Sequence, residues 1–596
     1  MVQAAISSET STQTIQSKAI AEISYYVAMP NPHNHLFELE IQIKGWQGKV
    51  LDLRMPTWTP GSYLIREYAR HVQDFAAIAS ATEESLTWHK QAKNHWQIST
   101  GDTTDITVRY RVYANELTVR TNHLDATHGY FNGAALFFFV PGYTDESFIL
   151  TVEPPHEAWQ INTTLPLLED YENRFWVENF DVLVDSPVEV GLHESYEFIY
   201  NDKPHRWVVW GDGNLDVDQA IADTKNIIKV EADIYGGDLP YDEYMFLLHL
   251  SSSGYGGLEH KESCSLNYPR FGFKKRDSYN RFMQLVAHEF FHLWNVKRIR
   301  PKALEVFDYE NENYTPSLWF SEGITSYYDL IIPLWAGVYN EKFFLESLGK
   351  DISRYLTTPG RFVQPLAESS FDAWVKLYRR DANSNNSQMS YYLKGAMVSL
   401  MLDLLIRDRH NNQKSLDNVM QVMWEQFGKE EIGFTPEQAQ QVIEGVAGCN
   451  LDDFFQRYLH GFEEVNLDHY LEPFGLKLKP IYDDNKVPYL GAIAKTTNNQ
   501  TLVESVDSGS PAHRAGIDPG DEILAIADYR ITADQLGDRL QNYQAGDTIS
   551  ITIFQQDQLK TLAVTLAEAQ PSSYQVKKNP QASATQQQKL KGWLQR

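Results

Sequence analysis

The sequence predicts a multidomain α+β protein with a β-rich N-terminal domain, a mostly helical middle domain and a small β-rich C-terminal domain. Three observations support this prediction. Apolar and polar residues alternate with period two in much of the first 200 residues. The spacing becomes helical from about residue 216, and short strand patterns separated by turn residues return after residue 488. We expect domains at residues 20–212, 213–480 and 481–569, with a disordered segment at 1–19 and a disordered polar tail at 570–596.

The composition excludes several classes of protein. A net charge of −27 and a pI near 5.1 argue against nucleic acid or an anionic membrane as a partner. The two cysteines, Cys264 and Cys449, form no Cys-x-x-Cys pair, so we expect neither a disulfide framework nor a cysteine metal site. The N-terminus lacks the features of a secretory signal, and no run of about 18 apolar residues predicts a membrane span. We therefore expect a soluble cytoplasmic protein.

Short strands predict the N-terminal domain. Residues 37–43 and 106–113 alternate strictly between apolar and polar side chains, and residues 148–152 are a less regular candidate. Residues 206–210 are expected to form the last strand before the next domain. The segment 58–63 contains Pro and Gly and is expected to be a loop.

The middle domain contains a His-Glu-x-x-His sequence, residues 288–292, inside an apolar helical run. Positions four apart share one face of a helix, so His288 and His292 project side by side. This spacing suits two imidazole ligands of one Zn²⁺, with Glu289 beside them to accept a proton from water. About 0.04 such motifs are expected by chance in a chain of this composition. We therefore favour a metal site over two buried histidines with ordinary hydrogen-bond partners.

A catalytic zinc site needs a third protein ligand and one open position. Glu322 lies in a second predicted helix, residues 315–328, among Trp, Phe, Leu and Ile, where a carboxylate requires a cation. A site with three histidines is excluded, because Asn295 and Arg298 stand where that motif has Gly and His. The predicted ligands are therefore His288, His292 and Glu322, and the predicted general base is Glu289.

A glycine-rich stretch is a candidate for substrate contact. Gly256 and Gly257 follow a predicted strand, and they would let another backbone approach closely. Glu259 comes directly after them and could bind the ammonium group at the N-terminus of a peptide. The alternative is an ordinary glycine loop with a solvated carboxylate, and without the zinc motif that alternative would be preferred.

Two tyrosines begin an apolar helical run after Ser390. A hydroxyl of Tyr391 or Tyr392 could stabilise the oxyanion that forms when water attacks an amide. Tyrosines at the start of a helix are more often core or surface residues, so the residues alone favour neither assignment.

Several segments resemble the motifs of aminopeptidase N-like gluzincins, in the same chain order. They are Gly256–His260, His288–His292, Trp319–Gly323 and Tyr392–Ala396. The continuation Leu293–Pro301 is similar to the glycyl aminopeptidase family in particular. The resemblance extends over nearly the whole chain after the first 20 or so residues, and it implies a thermolysin-like catalytic domain behind a β-rich domain and ahead of a PDZ domain. It implies Zn²⁺ on His288, His292 and Glu322, Glu289 as the base, Tyr392 as an oxyanion stabiliser and Glu259 as the ligand of the substrate amino group.

The function implied by this resemblance is that of a zinc metallo-aminopeptidase that releases N-terminal residues, such as Gly or Ala, from peptides. The sequence departs from the wider pattern, since Gly257, Leu258 and His260 replace Ala, Met and Asn in the exopeptidase motif. Two alternatives remain open. One is a zinc endopeptidase with an open cleft, and the other is a PDZ-led binding protein with a vestigial zinc site.

The C-terminal domain is predicted from its own pattern. Residues 508–526 resemble a PDZ domain of the kind attached to proteases, and strands at 549–553 and 562–566 fit its end. Such domains bind a peptide by strand addition, often at its C-terminus. A peptide ligand and a purely structural appendage are both open, and the sequence predicts no oligomeric state.

Overall fold

The computed structural model describes residues 21–482 and 486–595, and the predicted disordered segment 1–19 lies outside these ranges. The described chain is an α+β protein in which a group of β-sheets, a helical unit with one mixed sheet and a C-terminal β-rich unit follow one another. The predicted fold class is confirmed.

The first unit consists of three sheets. Its elements are β1 (Glu22–Ala28), β2 (Leu36–Lys44), β3 (Val50–Arg54), β4 (Val72–Ala79), β5 (Trp88–Ala92), β6 (His95–Ser99), β7 (Ile106–Tyr113), β8 (His123–Leu124), β9 (His128–Phe131), β10 (Phe148–Glu153), β11 (Gln160–Asn162), β12 (Arg174–Val177), α1 (Phe180–Val184) and β13 (Val188–Gly191). The largest sheet has the order β12-β10-β1-β2-β7-β4, and β11-β13-β9-β8 and β3-β6-β5 form the other two. The strictly alternating stretches are β2 and β7, and Phe37, Leu39 and Ile41 face the core from β2.

The second unit packs helices on a five-stranded sheet. Its elements are β14 (Glu194–Tyr200), β15 (Lys203–Trp210), α2 (Val217–Ile234), β16 (Tyr244–Ser251), β17 (Gly256–Glu259), β18 (Ser263–Pro269), α3 (Arg276–Phe291), α4 (Ile324–Trp335), α5 (Glu341–Leu356), α6 (Leu366–Phe371), α7 (Ser384–Ser387), α8 (Tyr391–Arg409), α9 (Leu416–Met423), α10 (Pro436–Ala447), α11 (Asp452–Tyr458) and α12 (Leu467–Leu471). The strand order is β14-β15-β16-β18-β17. The strands β15, β16 and β18 are parallel, and β17 is an antiparallel edge strand.

One expected boundary needs correction. Residues 206–210 were expected to end the N-terminal domain, but they lie in β15 and pair with β16 inside the sheet of the second unit. The reason is packing that the strand pattern does not reveal. Trp207 stacks on Phe246 of β16 and contacts Phe282 of α3, so this strand belongs to the core beneath the helices.

One stretch of the second unit, Ser384–Arg409, is long and apolar enough to cross a membrane by length and composition alone, and 78% of its most apolar window is buried inside the protein. Its main helix, α8, packs against α4 and is a core helix of this unit.

The third unit is β-rich and also contains short helices. Its elements are β19 (Leu476–Ile481), β20 (Ala492–Thr497), β21 (Gln500–Val506), α13 (Pro511–Ala515), β22 (Glu522–Ile526), β23 (Tyr529–Arg530), α14 (Leu536–Leu540), β24 (Thr548–Gln555), β25 (Gln558–Thr565), β26 (Ser573–Lys578) and α15 (Ala584–Leu594). The order β20-β21-β22-β24-β25 forms its main sheet, and β23 pairs with β22. The predicted strands at 549–553 and 562–566 fall in β24 and β25.

The prediction of a disordered tail at 570–596 is wrong for the described residues. β26 pairs with β19, and α15 buries Leu590, Trp593 and Leu594. The Trp593 indole donates a hydrogen bond to the Tyr327 hydroxyl at 3.0 Å. The polar composition of the tail hid this apolar helix face, which becomes stable only against the second unit.

Candidate active site

His288 lies on α3 and His292 directly follows that helix, and both side chains point into the same space. The Nε2 atoms of His288 and His292 are 3.1 Å apart. The other ring nitrogen of each histidine faces an acceptor, since His288 Nδ1 lies 2.8 Å from Asp329 Oδ2 and His292 Nδ1 lies 2.6 Å from the Asn295 carbonyl. We therefore assign both ring protons to Nδ1, which leaves the lone pairs of the two Nε2 atoms facing each other.

The third predicted ligand comes from a π-helical turn. Glu322 lies in the turn Trp319–Gly323, which runs directly into α4. Its Oε2 atom is 3.4 Å from His288 Nε2 and 3.2 Å from His292 Nε2. The sequence predicted an ordinary helix here. A π-helical turn is rare, and such turns occur frequently at functional sites.

The π-helical turn and α8 approach each other through two glycines. A Cβ added to Gly323 would lie 2.5 Å from the Gly395 Cα, and one on Gly395 would lie 2.8 Å from the Gly323 Cα. Any side chain at either position would therefore separate the two elements. This contact explains why residue 395 is a glycine, and it brings the start of α8 beside Glu322.

Asn295 connects His292 to the turn that carries Glu322. Its carbonyl accepts the bond from His292, and its side-chain amide donates to the carbonyls of Phe320 and Ser321 at 3.1 Å each and to Thr325 Oγ1 at 3.2 Å. The residue is fully buried. Asn295 therefore sets the position of the turn that carries Glu322 relative to the end of α3.

The three facing acceptor atoms could hold a cation. Glu322 Oε2 is buried and has no hydrogen-bond partner among the described residues. Ligand atoms on a tetrahedral Zn²⁺ at about 2.0–2.1 Å are about 3.3–3.4 Å apart. The separations of 3.1, 3.2 and 3.4 Å fit this geometry.

Glu289 lies beside the three predicted metal ligands and is not one of them. Its Oε2 atom is buried and has no hydrogen-bond partner among the described residues. Burial raises the pKa of Glu289 from its ordinary value to about 7. A carboxyl group with a pKa near neutrality can accept and return a proton at neutral pH.

Glu259 lies at the end of the edge strand β17, and its side chain faces the same space. The carboxylate oxygens of Glu259 and Glu289 and a ring nitrogen of His292 lie within 4.8 Å of one another. The predicted glycines provide the room, because a Cβ on Gly257 would lie 2.1 Å from Glu289 Oε1. Gly256 precedes it at the part-exposed start of the strand.

A loop of the first unit closes one side of this space. Gly61, in the segment predicted as a loop, has a φ of +83°, and a Cβ there would lie 2.6 Å from both carboxylate oxygens of Glu259. Next to it, the Trp58 indole donates to the Asp308 carbonyl at 2.8 Å, which fastens the loop to the second unit. The β-rich unit therefore forms a wall beside Glu259.

Tyrosines also line this space. The Tyr392 ring is 6.4 Å from the His288 ring between centroids, whereas Tyr391 is fully buried. The hydroxyl of Tyr378 lies 3.0 Å from that of Tyr392 and 3.3 Å from that of Tyr391. The structure thus places Tyr392 at the site, as predicted, and adds Tyr378 to it.

A second group of buried titratable side chains lies between the first and second units. Glu189 accepts hydrogen bonds from His128 Nδ1 at 2.7 Å and from His249 Nε2 at 2.9 Å, and all three side chains are 0% exposed. His123 Nδ1 is 2.9 Å from His128 Nε2. These distances are those of hydrogen bonds, and the two histidines use different carboxylate oxygens. A proton-sharing cluster therefore explains the arrangement without a metal ion.

Sequence reasoning missed Asp329, Asn295 and Tyr378. Asp329 follows Glu322 by two helical turns and could have been found as an acid on the same helix face. Asn295 was used only to exclude a third histidine. Tyr378 lies in a connection between helices and carries no sequence signal that separates it from other tyrosines.

Comparison with known proteins gave the following similarities. The chain matches the M61 peptidase N-terminal domain over residues 24–192, the M61 glycyl aminopeptidase description over residues 281–398 and a PDZ domain over residues 488–566. The crystal structure of an aminopeptidase N family protein from Idiomarina loihiensis has 33% sequence identity and a TM-score of 0.89, covering 96% of this chain and 100% of that chain. Legionella pneumophila aminopeptidase A in complex with aspartic acid has 12% identity and a TM-score of 0.47, covering 94% and 57%. A search of curated proteins found no match.

Proposed function

The chain belongs to the M61 glycyl aminopeptidase family, and from this premise we propose that it is a zinc-dependent aminopeptidase acting on peptides with a free N-terminus. Membership supports a peptidase. The metal, the requirement for a free amino group and a preference for Gly or Ala as the released residue are the finer parts of the proposal.

The proximity of Glu259 to the base and to a proposed metal ligand is the observation that carries the exopeptidase proposal. These three side chains lie within 4.8 Å of one another. A carboxylate at that position would bind the ammonium group of the first residue and hold the first peptide bond over Glu289. The first unit reaches the Glu259 carboxylate at Gly61, and a wall at this position favours an aminopeptidase over an endopeptidase.

Each side chain has a distinct role in this proposal. His288, His292 and Glu322 would hold the metal, which supplies polarisation of the scissile carbonyl and a lowered pKa for water when it is bound. Glu289 takes a proton from water and returns it to the leaving amine. The Tyr392 hydroxyl, oriented by its contact with Tyr378, donates a hydrogen bond to the developing oxyanion.

We also propose that the PDZ domain binds a peptide by strand addition. The match over residues 488–566 supports this role, and a strand could add to the open edge of β20. This domain contacts the second unit, since Asn386 donates to the Val506 carbonyl and accepts from the Ser508 amide, each at 2.8 Å.

The experiment compares four conditions for each peptide with the purified protein. Gly- and Ala-initiated peptides are incubated as free and as N-acetylated forms, each with and without a chelator, and the released residues are quantified. We expect release only from the free peptides, loss of activity with the chelator and recovery with added Zn²⁺. Equal cleavage of acetylated peptides would refute the aminopeptidase assignment, and full activity in the chelator would refute the metal.

A further inference from the structure

The search for sites beyond the catalytic groups leads to a pair of arginines from the first unit. Arg120 Nη2 donates to the Gly257 carbonyl on β17 at 2.9 Å. Its Nη1 atom lies 3.7 Å from where a Cβ on Gly256 would stand. Its Nε atom is buried without a hydrogen-bond partner among the described residues. A cation from the β-rich unit therefore lies against the strand that carries Glu259.

Arg66 lies close to Arg120. Its Nε and Nη2 atoms donate to Ser62 Oγ at 3.3 and 2.8 Å. Burial lowers the pKa of Arg66, and the positive charge of Arg120 lowers it further, so the two guanidinium groups are near enough to repel each other. Glu116, an acid that lines the same cavity and whose charge acts on Arg66, pairs with Arg70 at 2.9 Å.

The absence of a carboxylate partner is notable in a chain with 79 acidic and 52 basic residues. Within residues 21–482 and 486–595, no ion pair within 4.0 Å involves Arg66, Arg120 or Arg379. Arg379 contacts the Ile65 carbonyl at 3.4 Å and, with Arg66 and Tyr378, lines a cavity of about 220 Å³. Arg66 and Arg120 are half-buried, and half-buried cations that lack a protein anion are suited to bind one from a ligand.

Tyr378 lines this cavity and also contacts the candidate active site. Its hydroxyl contacts Tyr392, and the negative charge of Glu322 and the positive charge of Arg120 both act on it. Gly257 accepts a hydrogen bond from Arg120 at its carbonyl, and its Cα lies against Glu289. The arginines therefore lie at the edge of the catalytic space, on the opposite end of β17 from Glu259.

The spacing along β17 defines which part of a substrate would reach Arg120. Gly257 precedes Glu259 by two residues, which is about 7 Å along a strand. Two residues of an extended peptide span about the same distance. With the first amino group on Glu259, the second residue of the substrate would therefore lie beside Gly257 and Arg120.

From this arrangement we propose that Arg120 and Arg66 form a carboxylate-binding subsite for the residue that follows the cleaved bond. The proposal rests on the aminopeptidase function proposed above and specifies its substrates further. The carboxylate comes either from an acidic side chain at the second position or from the free C-terminus of a dipeptide. Arg120 is a substrate-binding residue in this proposal, and Arg66 supplies the second positive charge.

Two peptide pairs separate the sources of the carboxylate. Ala-Glu-amide against Ala-Gln-amide tests the side chain, and Ala-Ala against Ala-Ala-amide tests the free C-terminus. In the wild-type protein we expect kcat/KM to be about tenfold or more higher for the charged member of at least one pair, as for a charge-assisted hydrogen bond. Equal values in both pairs would overturn the proposal while leaving the aminopeptidase function intact.

Three variants test which residues cause the preference for the charged peptides. Arg120→Gln keeps a donor for the Gly257 carbonyl but removes the charge, and Arg66→Gln removes the charge of a side chain that donates to Ser62. Both should lose most of the preference, measured as the ratio of kcat/KM between the charged and the neutral member of each pair. Arg109→Gln, on an exposed ion pair with Glu40, is the matched control and should keep the preference. A preference that persists in both Arg120→Gln and Arg66→Gln would overturn the assignment.

A binding measurement makes the test independent of turnover. Calorimetric titration of the Glu289→Gln protein with the same four peptides should show about tenfold tighter binding of the charged members. This difference in affinity should disappear in the double variant that carries both Glu289→Gln and Arg120→Gln. If wild-type protein cleaves no peptide while this binding difference is present, the aminopeptidase proposal fails and the subsite stands. Equal binding of all four peptides would refute the subsite.

Discussion

The hydrogen bond between Asp329 and His288 gives the sharpest test of the metal centre. Asp329 Oδ2 accepts from His288 Nδ1 at 2.8 Å and fixes the ring with its other nitrogen toward Glu322 and His292. Asp329→Ala removes this acceptor, whereas Asp329→Asn keeps an acceptor of similar shape without the charge. We therefore expect metal affinity to fall in the order wild type, Asn variant, Ala variant.

The magnitude follows from the type of bond. A hydrogen bond to a charged group contributes about 1.5–3 kcal/mol, and a neutral one about 0.5–1.5 kcal/mol. Since about 1.4 kcal/mol corresponds to a factor of ten, the Ala variant should lose about 10- to 100-fold in affinity and the Asn variant about tenfold.

Competition with a chromogenic chelator measures this affinity directly. Asp453→Asn is the matched control, because Asp453 is an exposed acid of the same unit that pairs with Arg457 at 3.5 Å. The control should bind metal as the wild type does. Wild-type affinity in the folded Asp329→Ala protein would show that His288 is not oriented by Asp329, and it would refute the tautomer assigned to the ring.

Three further predictions concern the base, the glycine beside it and the second buried cluster. Glu289→Gln should lower kcat by about 10²–10⁴-fold with unchanged metal content, measured by steady-state kinetics and metal analysis, and near-normal kcat would exclude Glu289 as the base. Gly257→Ala places a Cβ 2.1 Å from Glu289 Oε1, so kcat/KM should fall about tenfold or more while metal binding persists, and unchanged kinetics would contradict this contact. Although burial raises the pKa of Glu189, His128 and His249 lower it to about 2 from an ordinary value of 4.5. The stabilisation from Glu189, on the order of 3 kcal/mol, is therefore present above pH 4.5 and is lost as the pH falls toward 2. Unfolding free energies of the wild type and Glu189→Gln should accordingly converge over that range, and a constant difference would contradict the assignment.

Some features of the active site could be predicted because they are local. His288, Glu289 and His292 occupy adjacent positions on one helix, so their spacing alone determines that the two imidazoles share a face. Glu322 was found because a carboxylate among Trp, Phe and Ile requires a cation. Tyr392 was placed by family resemblance, and the structure shows its ring beside His288.

Other features depend on contacts between distant segments. The expected strand at 206–210 carries no sequence signal that separates it from a strand of the first unit, and only the packing of Trp207 on Phe246 assigns it to the second sheet. The tail was predicted to be disordered from its polar composition. Its apolar side chains Leu590 and Trp593 are too few to form a core alone, and they become buried only against the second unit.

The sequence by itself determined the fold class, the family and the candidate residues for metal binding and proton transfer, since these follow from periodicity and from short motifs. The tertiary structure alone decided how those residues are held. Asp329 orients one histidine, Asn295 connects the other to the turn of Glu322, and Gly61 and Arg120 reach the catalytic space from a different unit. The physical reason is that hydrogen bonds and close contacts between units depend on how complete surfaces pack, and neighbouring residues in the chain do not encode that packing.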